Sequence, residues 1–150
     1  VTDIVVTLTP PPDINVTIGD VSSVSLLYTG AVARSMTAGE LLVLGDICYV
    51  KAADGKLWKA KSNGTAAEAE AQFICSAAAG IAANVAGMFT AVGFVSGLSG
   101  GTAGSIAFVS TTYGASTTAV PSANYSKIIG RWVSSTVLYF QPDWATMQLS

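Results

Sequence analysis

Ile47-Cys48-Tyr49-Val50-Lys51-Ala52-Ala53-Asp54-Gly55-Lys56-Leu57-Trp58-Lys59-Ala60 carries the clearest local signal in the chain. Two extended runs, Ile47 to Ala52 and Leu57 to Ala60, flank an Asp54-Gly55 pair that suits the positive φ angles of a two-residue turn, so the stretch predicts an antiparallel hairpin. The same alternation of short apolar runs and turn residues continues outward. Upstream, Val24 to Ala33 reads as a strand, and a turn at Thr37-Ala38-Gly39-Glu40 feeds the apolar run Leu41 to Leu44. Downstream, Gln72 to Ala77, Met88 to Val95, Ser105 to Ser110, Ser116 to Ala119, Lys127 to Ser134 and Val137 to Gln141 are strand-like runs parted by Gly, Ser or Pro. Only Ala66 to Ala71, with Glu68 and Glu70, has helical composition, enough for about two turns. The expected fold is all-β, a small β-barrel or β-sandwich with one short helix.

The beginning of the chain reads as an extended N-terminal arm. Val1 to Thr9 is dominated by β-branched residues and stops at Pro10-Pro11-Pro12, which cannot donate to a strand ladder and favours a stiff polyproline segment. A second extended stretch, Asn15 to Ile18, precedes a turn at Gly19-Asp20. Residues 1–20 are therefore assigned to the arm and residues 21–150 to a single β domain. Ile4, Val6 and Leu8 are candidate contacts, because an extended segment satisfies its backbone by adding to a neighbouring sheet.

Of the 150 residues, 51% are apolar and 11% charged, against roughly 25% charged in ordinary soluble domains. That length supports one core without staples. Seven basic and nine acidic residues give a net charge of −2, so no basic field exists to neutralise phosphates or attract an anionic bilayer, and neither nucleic acid nor membrane is expected as a partner. The stretch Ala77 to Leu98 is uncharged and long enough to cross a bilayer, but Asn84, Thr90, Ser96 and its Ala/Gly content argue against a span. The absence of histidine removes the commonest general acid–base and metal ligand, and no cofactor or metal is expected. Cys48 and Cys75 sit in apolar stretches as small hydrophobes, with their pairing left open.

No charged residue occurs between Ala71 and Ser126. Ile74, Phe89, Val92, Phe94, Ile106, Phe108 and Val109 are the expected buried positions of this region, and its neutral surfaces are expected to meet other subunits, since interface cores are depleted in charge.

Candidate chemistry is sparse. Gly97-Leu98-Ser99-Gly100-Gly101 fits the hydrolase nucleophile elbow, but a serine nucleophile needs a base, and the chain has no histidine to provide one. The carboxylates Asp46, Asp54, Glu68 and Glu70 lack the spacing of a calcium loop or a glycosidase pair and read as solvated turn and helix positions. Lys51, Lys56, Lys59 and Lys61 cluster around the hairpin, as a solvated face or a docking patch for an acidic surface. Trp58, Trp132 and Trp144 are candidate contact residues, as interface anchors or as a sugar-stacking platform. The apolar tail from Pro142, with Trp144, Met147 and Leu149, is expected to dock.

Several of these strings together resemble a known family. They are Thr37-Ala38-Gly39-Glu40, the strand ending at Tyr49, Asp54 to Ala60, the Ala-rich Ala66 to Ala71 and Ser76-Ala77-Ala78-Ala79-Gly80. Gly101-Thr102-Ala103-Gly104, Phe108-Val109-Ser110, Gly114 to Pro121, Ile129-Gly130 and Thr136-Val137-Leu138 follow. Over roughly residues 30–142 the pattern is similar to that of capsid decoration (cement, head-stabilising) proteins of tailed bacteriophages. Phe73-Ile74-Cys75-Ser76 and Arg131-Trp132 depart from it. The resemblance implies a non-enzymatic protein of the virion's outer capsid surface, a homotrimer that binds the major capsid protein and clamps neighbouring capsomers. A head- or tail-fibre module that binds host-surface glycans through exposed tryptophans is the alternative.

Overall fold

Residues 4–8, 14–18, 31–122 and 124–149 are described by the structure, a computed structural model. The β-branched and aromatic runs become strands: β1 (Ile4–Leu8), β2 (Ile14–Ile18), β3 (Val32–Thr37), β4 (Ile47–Val50), β5 (Leu57–Lys59), β6 (Phe73–Cys75), β7 (Ala86–Ser96), β8 (Ile106–Val109), β9 (Ser116–Thr117), β10 (Tyr125–Ser126), β11 (Ile128–Trp132), β12 (Val137–Phe140) and β13 (Met147–Gln148). The fold is all-β, as expected. Nine strands form one antiparallel sheet in the order β5-β4-β6-β7-β12-β11-β8-β9, with β3 also on β7, and the sheet curls into a half-barrel.

The long strand β7 joins the two halves of this sheet. Its residues Ala86 to Val92 pair with β3, Phe89 and Thr90 pair with β6, and Gly93 to Ser96 pair with β12. Gly93 sits at the handover with φ +140°, and a Cβ there would lie 2.6 Å from the Ala31 Cα. Glycine lets the two backbones approach at a conformation other residues resist. On β11 a bulge between Ile128 and Gly130 bends the strand, and a Gly130 Cβ would collide with the Tyr139 carbonyl.

Two groups of buried side chains hold the body together. The concave face of the curled sheet collects Ile47, Tyr49, Ile74, Val95, Val109, Ile129, Trp132, Leu138 and Phe140. On the opposite face, Cys48, Leu57, Cys75 and Phe89 are covered by Ala38, Leu42 and Ile81 from the flanking loops. Both cysteines are free and buried. Burial raises both thiols above their ordinary value, and the Asp46 charge adds to the effect.

Several details differ from the sequence expectation. The hairpin closes on a four-residue loop, with Lys51 N donating to Lys56 O at 2.9 Å and Gly55 N donating to Lys51 O at 2.8 Å. Only Gly55 takes a positive φ, +67°, whereas a two-residue turn of the Asp-Gly type needs both central residues there. The helix α1 (Ala66–Ala69) is a single turn, opened by a capping box in which the Thr65 hydroxyl accepts from Glu68 N and the Glu68 carboxylate accepts from Thr65 N. Of the expected core, Ile74, Phe89, Phe108 and Val109 are buried, but Phe94 and Ile106 are exposed and Val92 is only half-buried. Phe94 and Ile106 point away from the concave core, and Val92 sits at the register shift of β7.

Within the arm, β1 pairs with β2 in antiparallel register from Ile4↔Ile18 to Leu8↔Ile14. Pro10 to Pro12 and residues 19–30, which include most of the expected strand Val24 to Ala33, lie outside the described residues. The C-terminal tail docks on its own chain: β13 pairs with β10, and Leu149 N donates to Asn124 O at 2.9 Å. No helix among the described residues is long and apolar enough to cross a membrane.

Candidate functional site

Pairing register places Phe94, Tyr139, Arg131 and Ile106 in one row across β7, β12, β11 and β8. Directly paired residues share a sheet face. The Phe94 and Tyr139 rings touch at 4.9 Å between centroids, and the Arg131 guanidinium is tied at its edge by donation to Gly104 O at 3.1 Å. Phe94 is 52% exposed. Beside the row, Ile128, Gly130 and Gln141 complete a shallow hollow of about 330 Å³. The buried neighbours Val95, Leu138 and Phe140 point to the other face, so β12 is apolar on both sides, although the described residues bury one side fully and the other only in part.

A second feature lies at the hairpin end of the sheet. Tyr49 from β4, Trp58 from β5 and Tyr113 from the loop before β9 line a cleft of about 520 Å³, together with Glu40, Lys51, Lys59 and Glu68. The Trp58 indole is fixed from several sides. Its Nε1–H donates to Asp54 at 3.1 Å, and Gly39 packs so close that a Cβ there would lie 2.2 Å from the ring. Lys51 Nζ stands 4.3 Å from the Trp58 ring centroid, and Lys61 Nζ stands 4.1 Å from that of Tyr113. Glu40 accepts from Lys59 N at 2.9 Å through one carboxylate oxygen, and Glu68 accepts from Thr65 N at 2.7 Å through one of its own. That backbone hydrogen bond, the largest influence, holds the Glu68 carboxyl below its ordinary value despite partial burial, so it is an acceptor at neutral pH. Burial, and then the Glu68 charge, raises the Tyr49 phenol.

The lysine cluster is therefore engaged one residue at a time. Lys59 pairs with Asp46 at 3.1 Å, Lys56 donates to Asn84 at 2.7 Å, and Lys51 and Lys61 lie over aromatic rings. The solvated reading of the carboxylates fails at Asp46, and Glu70, though partly open to water, is tied into an ion pair. Asp46 is buried, paired with Lys59, and accepts from Val43 N at 2.8 Å. Glu70 accepts from Lys127 Nζ at 2.6 Å and from the Thr146 hydroxyl, which ties the tail to the body. Lys127 itself is 1% exposed, an ion pair absent from the sequence reading. Burial alone would raise the Glu70 carboxyl, but the Lys127 and Thr146 hydrogen bonds together hold it below its ordinary value.

The candidate contacts fall in different places. Trp58 lines the cleft, and Trp144 stands 96% exposed on the tail. Trp132 is corrected to a core residue: it is 3% exposed, its Nε1–H has no partner among the described residues, and a Gly101 Cβ would meet its ring at 2.1 Å. It borders a hollow of about 300 Å³ shared with Asp46, Ser99 and Ser116. Ile4, Val6 and Leu8 lie on β1 opposite Ile18, Val16 and Ile14. Ser99 is exposed in the loop from β7 to β8, which enters a strand where a nucleophile elbow would enter a helix. Among the described residues no group of acidic and cysteine side chains is arranged to hold a metal ion.

Sequence reasoning missed Glu40, Tyr49 and Tyr113 as cleft residues and Tyr139 and Arg131 as members of the outer row. The Thr65-Ala66-Ala67-Glu68 capping signature was available to position Glu68; nothing local marks the others, because cross-strand register brings them together. No protein-family model, no curated protein and no solved structure matches the chain.

Proposed function

We propose that this protein is a non-enzymatic capsid decoration subunit, which self-associates as a homotrimer and binds the major capsid protein on the outside of an assembled viral head. One observation carries the reading: β12 is apolar on both faces, and in the outer row that crosses it Phe94, Arg131 and Ile106 are exposed and Tyr139 is half-buried among the described residues. An exposed contiguous apolar patch marks an interaction surface. Its composition fits the core of an interface, which is enriched in aromatic residues and arginine and poor in other charges. Several copies joined at one axis multiply weak contacts to a shell through effective concentration.

The test is direct. Purified protein is expected to sediment as an oligomer, to bind expanded capsids at fixed stoichiometry and to raise their rupture temperature. The Phe94→Asp/Tyr139→Asp double variant is expected to keep the far-ultraviolet signature of the fold and to lose both oligomer and capsid binding. A monomeric protein indifferent to capsids, or a double variant that assembles and binds normally, rejects the reading. Deleting residues 1–12 tests the arm separately, with weakened capsid affinity as the expected result.

A further inference from the structure

We propose that the cleft between Trp58, Tyr113 and Tyr49 is a binding site for a neutral oligosaccharide. It uses residues different from those of the outer sheet row and stands whether or not that row docks on a shell.

Three properties of the cleft select this ligand class. The first is its aromatic lining, in which Tyr49 and Trp58, cross-strand partners of the β4–β5 hairpin, and Tyr113 from the distant loop before β9 converge on one opening, with the largely buried Tyr49 at its base. Sugar rings present flat arrays of C–H groups that pack on aromatic faces, and amphipathic rings contribute large contact area at low entropic cost. The second is charge balance: the lining carries two carboxylates, Glu40 and Glu68, and two ammonium groups, Lys51 and Lys59, and at its edge Lys61 over Tyr113 is matched by Asp54 on Trp58. A polyanion such as nucleic acid requires a positive excess, which this lining lacks. The third is the alternation of donors and acceptors around the rings. A sugar hydroxyl is both donor and acceptor, and it is satisfied where ammonium donors and carboxylate acceptors stand side by side. Glu40 and Glu68 each commit one oxygen, Oε1 and Oε2 respectively, to a backbone N–H, and the other oxygen of each has no hydrogen bond among the described residues.

The groups are held in position before any ligand arrives. Trp58 is clamped between the Asp54 carboxylate and the Gly39 backbone, and Glu68 is fixed by the helix cap. Such pre-organisation lowers the ordering cost of binding. The volume of about 520 Å³ lies within the ~300–1,000 Å³ typical of small-ligand sites. Lys51 and Lys61 stand over the Trp58 and Tyr113 rings, and the proposed stacking requires their flexible stems to swing aside, where they would donate at the edge of the sugar.

The experiment is calorimetric titration of the intact protein with maltohexaose, cellohexaose and chitohexaose, with single-stranded DNA and heparin as polyanion controls. Saturable binding of at least one neutral hexaose at millimolar concentration or below is expected, with none of the polyanions. Tyr113 is 54% exposed, so Tyr113→Ala leaves the core intact; it is expected to weaken binding about tenfold, in line with loss of an aromatic anchor. Trp58→Phe keeps a ring against Gly39 and is expected to weaken binding less, whereas Trp144→Ala on the tail is expected to leave it unchanged. Absence of binding to every neutral hexaose overturns the proposal. So does affinity unaltered in both Tyr113→Ala and Trp58→Phe, affinity lost in Trp144→Ala, or a preference for the polyanions.

Discussion

In the half of the sheet built from β4, β6 and the first part of β7, both faces are packed by the chain itself. Ile47, Tyr49 and Ile74 face the concave core, while Cys48, Cys75 and Phe89 are roofed by Ala38, Leu42 and Ile81. In the half built from the end of β7, β12, β11 and β8, the concave face is equally full, yet on the opposite face Phe94 and Ile106 are exposed and Tyr139 is only half-buried among the described residues. The strand sequences hardly differ in character: Ile47-Cys48-Tyr49-Val50 and Val137-Leu138-Tyr139-Phe140 are both apolar at every position. A strand with apolar residues on both faces belongs in a doubly covered sheet. Among the described residues the difference lies in the loops, which roof one half and leave the other open, and it is on the open half that the proposed assembly rests.

Phe89 and Phe94 lie on the same strand, one on the roofed face and one on the open row, and truncating each sharpens the contrast. Phe89→Ala removes a fully buried ring and is expected to destabilise the fold by about 3–5 kcal/mol in urea denaturation. A loss below about 1 kcal/mol would show that the roof is not tightly packed. The Glu70–Lys127 pair comes next in size. Glu70→Gln leaves the Lys127 ammonium buried without its counter-charge; because Glu70 is partly open to water, the expected cost is about 2 kcal/mol, below that of a fully buried pair.

The same pair sets an acid-side slope. Since the Glu70 carboxyl is held below its ordinary value of 4.5 in the folded chain, the unfolded chain takes up the proton first as pH falls. Its stabilisation is complete above that ordinary value and disappears as pH drops through the lower folded value. Thermal melts across this acidic window are expected to show a shallower decline in Glu70→Gln than in the parent, and equal slopes would contradict the assignment. The smallest effect is expected at Phe94→Ala, within about 0.5 kcal/mol for the isolated chain because the ring is already half in water. A cost approaching that of Phe89→Ala would mean that the outer face is covered within the single chain, and the comparison of the two halves would fail.

Much of the strand order along the chain was legible in the sequence because turn residues punctuate apolar runs. Gln72 to Ala77, Ser105 to Ser110, Lys127 to Ser134 and Val137 to Gln141 each contain an observed strand, and Met88 to Val95 lies inside the longer β7. The hairpin at Asp54-Gly55 was legible too, but its loop length was not, since one positive φ angle serves a longer turn as well as a short one. Val92, Phe94 and Ile106 were read as core because apolar identity does not reveal whether anything covers a given face. The cleft was legible at Trp58 and in the neighbouring Lys51 and Lys59 of the hairpin, but not at its other rings. Tyr49 and Tyr113 are far apart in sequence, and Glu40 reaches the same place through a hydrogen bond to Lys59.

Local chemistry by itself thus determined that this chain makes short antiparallel strands with one brief helical turn, because backbone preference, turn geometry and charge spacing act over a few residues. Tertiary structure alone decided which apolar faces are roofed, that Lys127 is buried against Glu70, and that three aromatic rings share one cleft. Those outcomes depend on cross-strand register and on where loops fold back, and both are set by the packing of segments distant in the chain.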